Sequence, residues 1–397
     1  MKVSRRFAMA LTGLLVVGLV AGGVAVVARL LGREEPRLQA RLVAVADEPS
    51  GYLRAEGPLH LEFPRDHGPH PGYQTEWWYY TGNLKAEDGR HFGYQLTFFR
   101  RALVPPELCV ERSSDWAADQ AYMAHFALTD VGGRQFQAFE RFSRGAMDLA
   151  GAQASPFRVW LDDWRVVEVE PGIVRMRAAQ GDPGTQRSLG IDLLLTDEKG
   201  PVLHGDEGFS RKGAQPGNAS YYYSLTRLTT AGTVQVGGAN YGVQGLSWMG
   251  HGFSTSGLSA DQVGWDWFSL QLDDGSELML FELRREDGSI DPFSSGTFVG
   301  ADGGTRHLVR EDFAIEVEDT WESPRTDAGY PSRWSVEVPS LQLVLRIEPH
   351  LADQELDLSY AYWEGAVRLE GERAGNVVRG DGYIEMTGYA GSMQGQF

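Results

Sequence analysis

The side chains best suited to chemistry are concentrated in one part of the chain, residues 248–285. His251 lies in the segment WMGHGFST, and Asp266 stands between two indoles in the segment GWDWF. A carboxyl group removed from water keeps its proton to higher pH, because burial disfavours the charged form. Such a group can protonate an apolar substrate, and a histidine nearby can activate or orient water. We therefore predict Asp266 as a catalytic proton donor and His251 as its partner.

Both residues also have a structural interpretation. Side chains alternate along a strand, so Asp266 points away from Trp265 and Trp267 unless a bulge or strand end intervenes. Asp266 could then pair with Arg284 rather than with a substrate. His251 could likewise be a hydrogen-bonded structural histidine.

A third candidate catalytic residue is Glu76, which precedes the aromatic run WWYYTGNL. The alternative is a buried acid bonded to an indole or an arginine. Asp66, His67 and His70 lie just upstream and offer ligand types for a metal, but no third histidine follows at helical spacing. The sequence therefore predicts no metal and no cofactor, and we expect this segment to be a loop that covers the mouth of a barrel.

Aromatic side chains near these acids could hold an apolar ligand and stabilise a cationic intermediate. A positioned acid contributes about 10²- to 10⁴-fold to rate, whereas one cation–π contact contributes roughly 0.5–2 kcal/mol, so the acid decides whether catalysis is feasible. The predicted ligand-binding residues are Trp77, Trp78, Tyr80, Trp248, Trp265, Trp267 and Tyr222.

The elements that must position these residues are strands. From His60 onward, apolar or alternating runs are separated by turn dipeptides such as Asp88-Gly89 and Asp274-Gly275. Amphipathic helices of a dozen residues and the motifs G-x-G-x-x-G and G-x-S-x-G are absent from the sequence, which gives no support to doubly wound or α/β-hydrolase folds. The pattern predicts an all-β fold.

The β region contains a faint internal repeat. The run from Trp77 to Leu84 can be laid over the run from Trp265 to Leu272, and each is followed by an Asp-Gly turn and a strand that ends in two arginines. A repeat this long indicates a domain duplication rather than a solenoid. We predict two antiparallel β-barrels in tandem, over residues 59–240 and 241–397.

The N-terminus predicts the location. Lys2, Arg5 and Arg6 precede an uncharged run over residues 7–28. At about 1.5 Å per residue this run is long enough to cross the roughly 30 Å core of a bilayer as a helix. We predict an uncleaved signal anchor in residues 1–32 and a linker in residues 33–58. A signal peptide cleaved after Ala28 and a twin-arginine signal are the alternatives, and each places the remaining chain outside the cytoplasm.

Composition excludes several classes of protein. The 397 residues carry a formal charge of −18, which repels phosphate backbones and argues against nucleic acid as a partner. Cys109 is the single cysteine, so an intrachain disulfide and a cysteine-based zinc site are both excluded.

Several motifs together resemble one known family. They are HGPH at residues 67–70, TEWWYYTGNL at 75–84, NASYYY at 218–223, GWDW at 264–267, WEGA at 363–366 and Gly388-Tyr389. In these motifs the chain resembles the carotenoid 1,2-hydratase (hydroxyneurosporene synthase) family, which includes AttH-like "predicted secreted hydrolases" and is similar to kievitone hydratase. The resemblance spans about residues 58–395 and implies two lipocalin-like barrels. In that family the segment around His251 usually reads Trp-Met-Asp-His-Glu-Trp, whereas Gly250 and Gly252 replace both acids here.

Two functions from different classes follow. The first is a hydratase-like carbon–oxygen lyase that adds water to an apolar isoprenoid or lipid-like substrate. The second is a non-catalytic periplasmic carrier of an apolar ligand, which the two glycines favour. A secreted hydrolase is a third hypothesis and lacks a visible nucleophile. The expected partners are the apolar small molecule and the membrane through residues 7–28, with a membrane transport complex as a further hypothesis.

Overall fold

The computed structural model describes residues 51–109, 114–181 and 188–395. The predicted N-terminal hydrophobic helix and most of the predicted linker lie outside these residues. In the described part of the chain, the helices are short 3₁₀ turns at Arg65–His67, Pro106–Leu108, Arg310–Asp312 and Pro339–Leu341. None of these turns has the length and apolar character needed to cross a membrane. The prediction of an all-β fold is confirmed for the described residues.

The first half of the described chain folds into one antiparallel sheet of thirteen strands. They are β1 (Thr75–Ala86), β2 (His91–Ala102), β3 (Gln120–Asp130), β4 (Gln135–Arg144), β5 (Ala150–Ala154), β6 (Phe157–Leu161), β7 (Trp164–Glu170), β8 (Ile173–Gln180), β9 (Leu189–Asp197), β10 (Pro201–Leu203), β11 (Phe209–Arg211), β12 (Ala219–Val236) and β13 (Ala239–Ser254). The hydrogen-bonded order is β4-β3-β2-β1-β13-β12-β9-β8-β7-β6-β5, with β10 and β11 both paired to β12.

The second half forms a sheet of ten strands. They are β14 (Gln262–Leu272), β15 (Glu277–Arg285), β16 (Ser295–Val299), β17 (Thr305–Val309), β18 (Ala314–Glu322), β19 (Gly329–Val338), β20 (Leu343–Pro349), β21 (Glu355–Asp357), β22 (Ala361–Arg373) and β23 (Asn376–Met386). The order is β17-β16-β15-β14-β23-β22-β20-β19-β18, with β21 paired to β22.

The two sheets share part of their strand order, although the first has thirteen strands and the second ten. In each, the first strand pairs with the second strand on one side and with the last strand on the other. The repeat places Trp77 of β1 and Trp265 of β14 at equivalent positions. The long β12–β13 hairpin belongs wholly to the first sheet, so the change of sheet falls between Ser254 and Gln262 rather than at residue 240.

Both sheets are strongly curled, and each covers its own apolar core. Trp78, Tyr223 and Phe253 lie in the core of the first sheet, whereas Phe268 and Trp334 lie in that of the second. Along its pairing order the first sheet ends at β4 and β5, and the second ends at β17 and β18. The finer prediction, that each sheet is a lipocalin-like barrel, stays a prediction.

A third apolar cluster joins the two sheets. It contains Tyr79, Tyr222 and Trp248 from the first sheet and Trp267 and Phe281 from the second. The rings of Tyr79 and Trp267 meet edge to face with centroids 5.1 Å apart. The outer face of the first sheet therefore packs on the second sheet through aromatic side chains.

Candidate functional site

The site follows from the alternation of side chains along β1 and β14. Trp78 and Tyr80 point into the first core, whereas Trp77 and Tyr79 point outward to the second sheet. On β14, Trp265 and Trp267 likewise belong to the junction between the sheets. Both aromatic runs thus contribute alternate residues to a shared surface, because the side chains of a strand have a period of two.

A pocket of about 200 Å³ lies in this junction. Its apolar wall consists of Trp77, Tyr79, Tyr222, Trp265, Trp267, Phe281 and Leu283. The polar groups on the wall include Glu385, Lys212 and Arg101. The volume is smaller than the roughly 300–1,000 Å³ of typical drug-sized sites, so the pocket would hold the reacting end of a long molecule rather than all of it.

Glu385 is the acid that faces the pocket. It lies on β23 directly opposite Trp267, and its Oε2 accepts a hydrogen bond of 3.1 Å from Nε1 of Trp265. Burial raises the pKa of Glu385 to about 7. Both its protonated and its ionised forms are therefore populated near neutral pH, which suits a group that gives and takes a proton.

A second glutamate, Glu364, lies beside Glu385. The two residues are opposite each other on neighbouring antiparallel strands, so their side chains lie on the same side of the sheet. Glu364 is fully buried, and among the described residues neither of its carboxyl oxygens has a hydrogen bond of normal geometry. Burial and the neighbouring Glu385 raise the pKa of Glu364 well above its ordinary value. Burial and the like charge of Glu385 therefore both favour the protonated form of Glu364.

Asp266 lies on the other face of β14, away from the pocket and from the two indoles that flank it. Its carboxylate accepts hydrogen bonds from Nε of Arg284 at 3.1 Å and from Oη of Tyr389 at 2.9 Å. Burial raises the pKa of Asp266 against the opposing effect of Arg284. The contact with Arg284 is the one that the structural interpretation of the sequence foresaw. The structure does not bring Asp266 and His251 together, because they belong to different cores.

His251 and Glu76 do meet, inside the first core. Nε2 of His251 lies 2.9 Å from Oε1 of Glu76, and both residues are fully buried. Nε of Arg100 donates to Oε2 of Glu76 at 2.8 Å, and Nδ1 of His70 lies 2.8 Å from Oε1. On its other side, His251 contacts the hydroxyl of Tyr223 at 3.0 Å. The loop with His70 therefore packs on a buried ionic network.

The charges of this network follow from its partners. Burial alone would raise the pKa of Glu76, but Arg100 and the hydrogen bonds from His251 and His70 hold it below the ordinary value. Burial lowers the pKa of His251 despite the neighbouring carboxylate. Glu76 is therefore ionised and His251 neutral at pH 7. Both carboxylate oxygens of Glu76 are engaged by Arg100, His70 and His251, so Glu76 is poorly placed to act on a ligand in the pocket.

Within residues 51–109, 114–181 and 188–395, two clusters contain enough ligand types for a metal ion. One is His70, Glu76 and His251, where Arg100 already occupies the carboxylate; the other is His91, His350 and Asp381 on the far side of the junction.

The predicted ligand-binding residues separate into two groups. Trp77, Tyr222, Trp265 and Trp267 line the pocket, and Trp248 packs beside them in the junction.

Trp78 and Tyr80 face the first core instead, where Trp78 stacks on His251 with ring centroids 5.0 Å apart.

The two glycines around His251 bear directly on the pocket. Gly250 lines it, and a Cβ at this position would lie 3.2 Å from Oη of Tyr222. A Cβ on Gly252 would lie 2.3 Å from the ring of Trp77, so the indole occupies the space that a side chain would need. The first of the acids expected from the family pattern would therefore project into the same pocket as Glu385.

Sequence reasoning missed Glu385, Glu364, Lys212 and Arg101. The two glutamates lie within the segments WEGA and GYIEMTGY, near the C-terminus. Their signal was an acid flanked by aromatic and apolar residues, the same signal that pointed to Asp266. What distinguishes Glu385 from Asp266 is the face of the strand, and that depends on pairing across the sheet.

The fold and pocket define an all-β protein with two related antiparallel sheets and an aromatic pocket between them. The sequence profile described as AttH-like matches residues 54–389, and the chain belongs to that family.

Among solved structures, the chain is similar to an AttH protein of Nitrosomonas europaea. The identity is 34%, over 84% of this chain and 99% of that one, with a TM-score of 0.73. Kievitone hydratase of Nectria haematococca shares the fold at 13% identity, over 87% of this chain and 98% of its own, with a TM-score of 0.63.

Among curated proteins, the dehydratase asqC of Emericella nidulans is 22% identical over 207 residues. The match covers 49% of this chain and 57% of the relative, so the chain spans somewhat more than half of that protein's length.

Proposed function

We propose that the protein is a hydratase- or dehydratase-type carbon–oxygen lyase that works in the pocket between the sheets, with Glu385 as the acid and base. The observation that carries the proposal is the placement of Glu385. Its carboxyl faces an aromatic pocket, and burial brings its pKa to about 7. We assign the proton transfer to Glu385 rather than to Asp266, because Asp266 faces the second core and is held by Arg284.

In the direction of hydration, the protonated Glu385 gives its proton to one carbon of a C=C bond. The other carbon becomes electron-deficient and is attacked by water, and the bound water then loses a proton to the Glu385 carboxylate. One water is added and Glu385 is regenerated. Dehydration is the same sequence in reverse, with the protonated acid assisting the departure of the hydroxyl.

The surrounding residues support this chemistry. The faces of Trp265 and Trp267 can stabilise a developing cation, and the apolar wall limits water to the reacting molecule. Burial raises the pKa of Glu385 to about 7, and the hydrogen bond from Trp265 opposes this rise. An apolar substrate, isoprenoid or lipid-like, is proposed from the composition of the wall.

The relatives support a lyase of this kind. Two of them, kievitone hydratase and dehydratase asqC, have names that describe addition or removal of water. These names concern those proteins, and the site in this chain supplies an acid suited to the same class of reaction.

The proposal is tested with ¹⁸O-labelled water. The purified chain is incubated with a lipid extract of its native host, and mass spectrometry detects compounds that gain labelled water. Glu385→Gln is expected to lower the labelling by about 10²- to 10⁴-fold.

Glu282→Gln is the matched control, because burial raises the pKa of Glu282 to about 7 as well, but this residue faces Asp266 in the second core. Equal labelling by wild type and Glu385→Gln, or equal loss in both variants, would remove Glu385 from the reaction.

The second candidate is a carrier of an apolar ligand. It is favoured by Gly250, which leaves the pocket without one acid expected from the family pattern, and by Gly252, which replaces the other. Extraction of the purified protein followed by mass spectrometry separates the two. An alkene together with its alcohol supports the lyase, and a single unmodified apolar compound supports the carrier.

We also propose that the protein works outside the cytoplasm, held at the membrane by residues 7–28. The support is the uncharged run itself, with basic residues before it. Cell fractionation tests this: a protein found in the soluble fraction and shortened at its N-terminus would refute the anchor.

A further inference from the structure

Two positively charged side chains line the pocket without an acidic partner. Nζ of Lys212, just after β11, lies 5.1 Å from the ring centroid of Trp77. Arg101 on β2 donates from Nη1 to Oγ1 of Thr75 at 3.0 Å. Within the described ranges, neither side chain forms an ion pair.

Three other partly or fully buried cations of this chain are paired with acids. Arg100 contacts Glu76, Lys199 contacts Glu277 and Arg284 contacts Asp266. Acidic residues outnumber basic ones in this chain, 54 to 36, yet no acid pairs with Lys212 or Arg101 within the described ranges. Two unpaired cations on one pocket wall therefore indicate a site for an anion that comes from outside the protein.

The electrostatic environment supports this interpretation. Burial lowers the pKa of Lys212 to about 8 and lowers that of Arg101. A cation that has lost part of its hydration gains more from an anion than an exposed cation does, because the pair interacts in a medium of lower dielectric constant.

The cations and the reacting acid lie at different depths. Thr75, Trp77 and Tyr79 project from one face of β1, and Arg101 is opposite Thr75. Tyr79 is buried against Trp267, which is opposite Glu385, whereas Thr75 and Arg101 are partly exposed.

Four residues of strand at about 3.3 Å each separate these two levels by roughly 13 Å. The pocket thus has a charged mouth, an aromatic wall and an acid at its inner end.

We propose that the pocket binds an amphipathic carboxylic acid, with the carboxylate held by Lys212 and Arg101 at the mouth and the apolar body along Trp77 towards Glu385. The inference rests on the proposed function only in that the substrate occupies this pocket. It names the substrate class, which neither the fold nor the family similarity supplies.

The test compares one probe with its uncharged form. The full chain is reconstituted in phosphatidylcholine nanodiscs, with empty discs as the blank, and binding of cis-parinaric acid and of its methyl ester is measured by fluorescence. We expect the acid to bind wild type at least 10-fold more tightly than the ester. Above pH 8 this preference should decline as Lys212 loses its proton.

Lys212→Met and Arg101→Met are each expected to weaken binding of the acid about 10-fold or more and to leave binding of the ester unchanged. Lys212→Arg should keep the preference for the acid, because it keeps the charge. Lys85→Met is the matched control, since Lys85 is exposed and pairs with Asp381 away from the pocket.

The outcomes distinguish this proposal from the one on function. If wild type binds both probes equally, or if Lys212→Met weakens binding of both equally, the anion-binding role of Lys212 and Arg101 is refuted. Binding of apolar molecules in the pocket is then still supported. If neither probe binds wild type, occupation of the pocket by such molecules is refuted as well. Dodecyl phosphate is included as a competitor, and stronger competition by it than by lauric acid would overturn the choice of a carboxylate.

Discussion

Glu364 and Glu385 face each other across β22 and β23, two acids side by side in the wall between the sheets. Two carboxyl groups so close cannot both ionise without a large electrostatic cost, so their protons are shared unequally. Burial and the neighbouring Glu385 hold the pKa of Glu364 well above its ordinary value, and burial raises the pKa of Glu385, which reaches the pocket, to about 7. This division of roles is what the proposed reaction requires of the site.

The first prediction concerns stability and pH. The pKa of Glu385 rises from about 4.5 in the unfolded chain to about 7 in the folded one. Between these values the unfolded chain releases a proton that the folded chain retains, so the free energy of unfolding falls as pH rises. The gap corresponds to at most about 3 kcal/mol.

Glu385→Gln removes this dependence and keeps an acceptor for Trp265. We expect the variant to be more stable than wild type at pH 8, by up to about 3 kcal/mol, and equal to it near pH 4. Urea denaturation at both pH values measures the difference. A variant that is destabilised at pH 8 would show that the carboxylate has a stabilising partner that the structure lacks.

The second prediction concerns Asp266. Asp266→Asn removes the negative charge beside Arg284 but keeps an acceptor for Tyr389. We expect turnover within a few-fold of wild type and a change of no more than about 1–3 kcal/mol in the free energy of unfolding, because the lost hydrogen bond to Arg284 is offset by removal of a buried negative charge. Loss of turnover with unchanged melting temperature would instead restore Asp266 as the proton donor.

Much of the fold could be predicted from sequence because its signals are local. Alternation and Asp-Gly turns predicted strands, and the repeated aromatic run predicted two related β-barrels, where the structure shows two curled antiparallel sheets. Residue 240 was predicted as the boundary between the repeated halves, but β13 continues to Ser254 in the first sheet, where it pairs with both β1 and β12.

The site was harder to predict because it depends on which face each strand presents. The sequence shows that Asp266, His251 and Glu76 are chemically suitable residues. It does not show the strand pairing that directs their side chains into the cores. Glu385 comes next to Trp267 only through pairing of β14 with β23, which are more than a hundred residues apart. Pairing at that distance in sequence leaves no periodic signal.

The third prediction concerns the network in the first core. Glu76→Gln leaves Arg100 fully buried without a carboxylate, and breaking such a pair typically costs about 3–5 kcal/mol. Because the pKa of Glu76 is held below its ordinary value, wild type gains this stability above about pH 4.5 and loses it as the pH falls further.

Chemical denaturation at pH 7 and at pH 3 measures both effects. Glu370→Gln is the control, since its pair with Arg379 is exposed and should contribute less than about 1 kcal/mol. An equally small effect of the two substitutions would contradict the assignment of Glu76 to a structural network.

The last prediction concerns the glycine in the pocket wall. Gly250→Asp places a carboxylate beside the hydroxyl of Tyr222, where a Cβ meets that oxygen at 3.2 Å. The side chain would occupy part of a pocket of about 200 Å³ and add a negative charge to an apolar wall. Because an apolar ligand cannot solvate that charge, we expect affinity for methyl cis-parinarate to fall about 10-fold or more.

Gly242→Asp is the matched control, because a Cβ on Gly242 meets nothing within 4 Å and this glycine lies elsewhere on β13. Unchanged affinity in Gly250→Asp would mean that apolar ligands bind outside the junction. A variant that binds less ligand but turns it over faster would show instead that the acid found in the family pattern assists Glu385, and that Gly250 limits the activity of this chain.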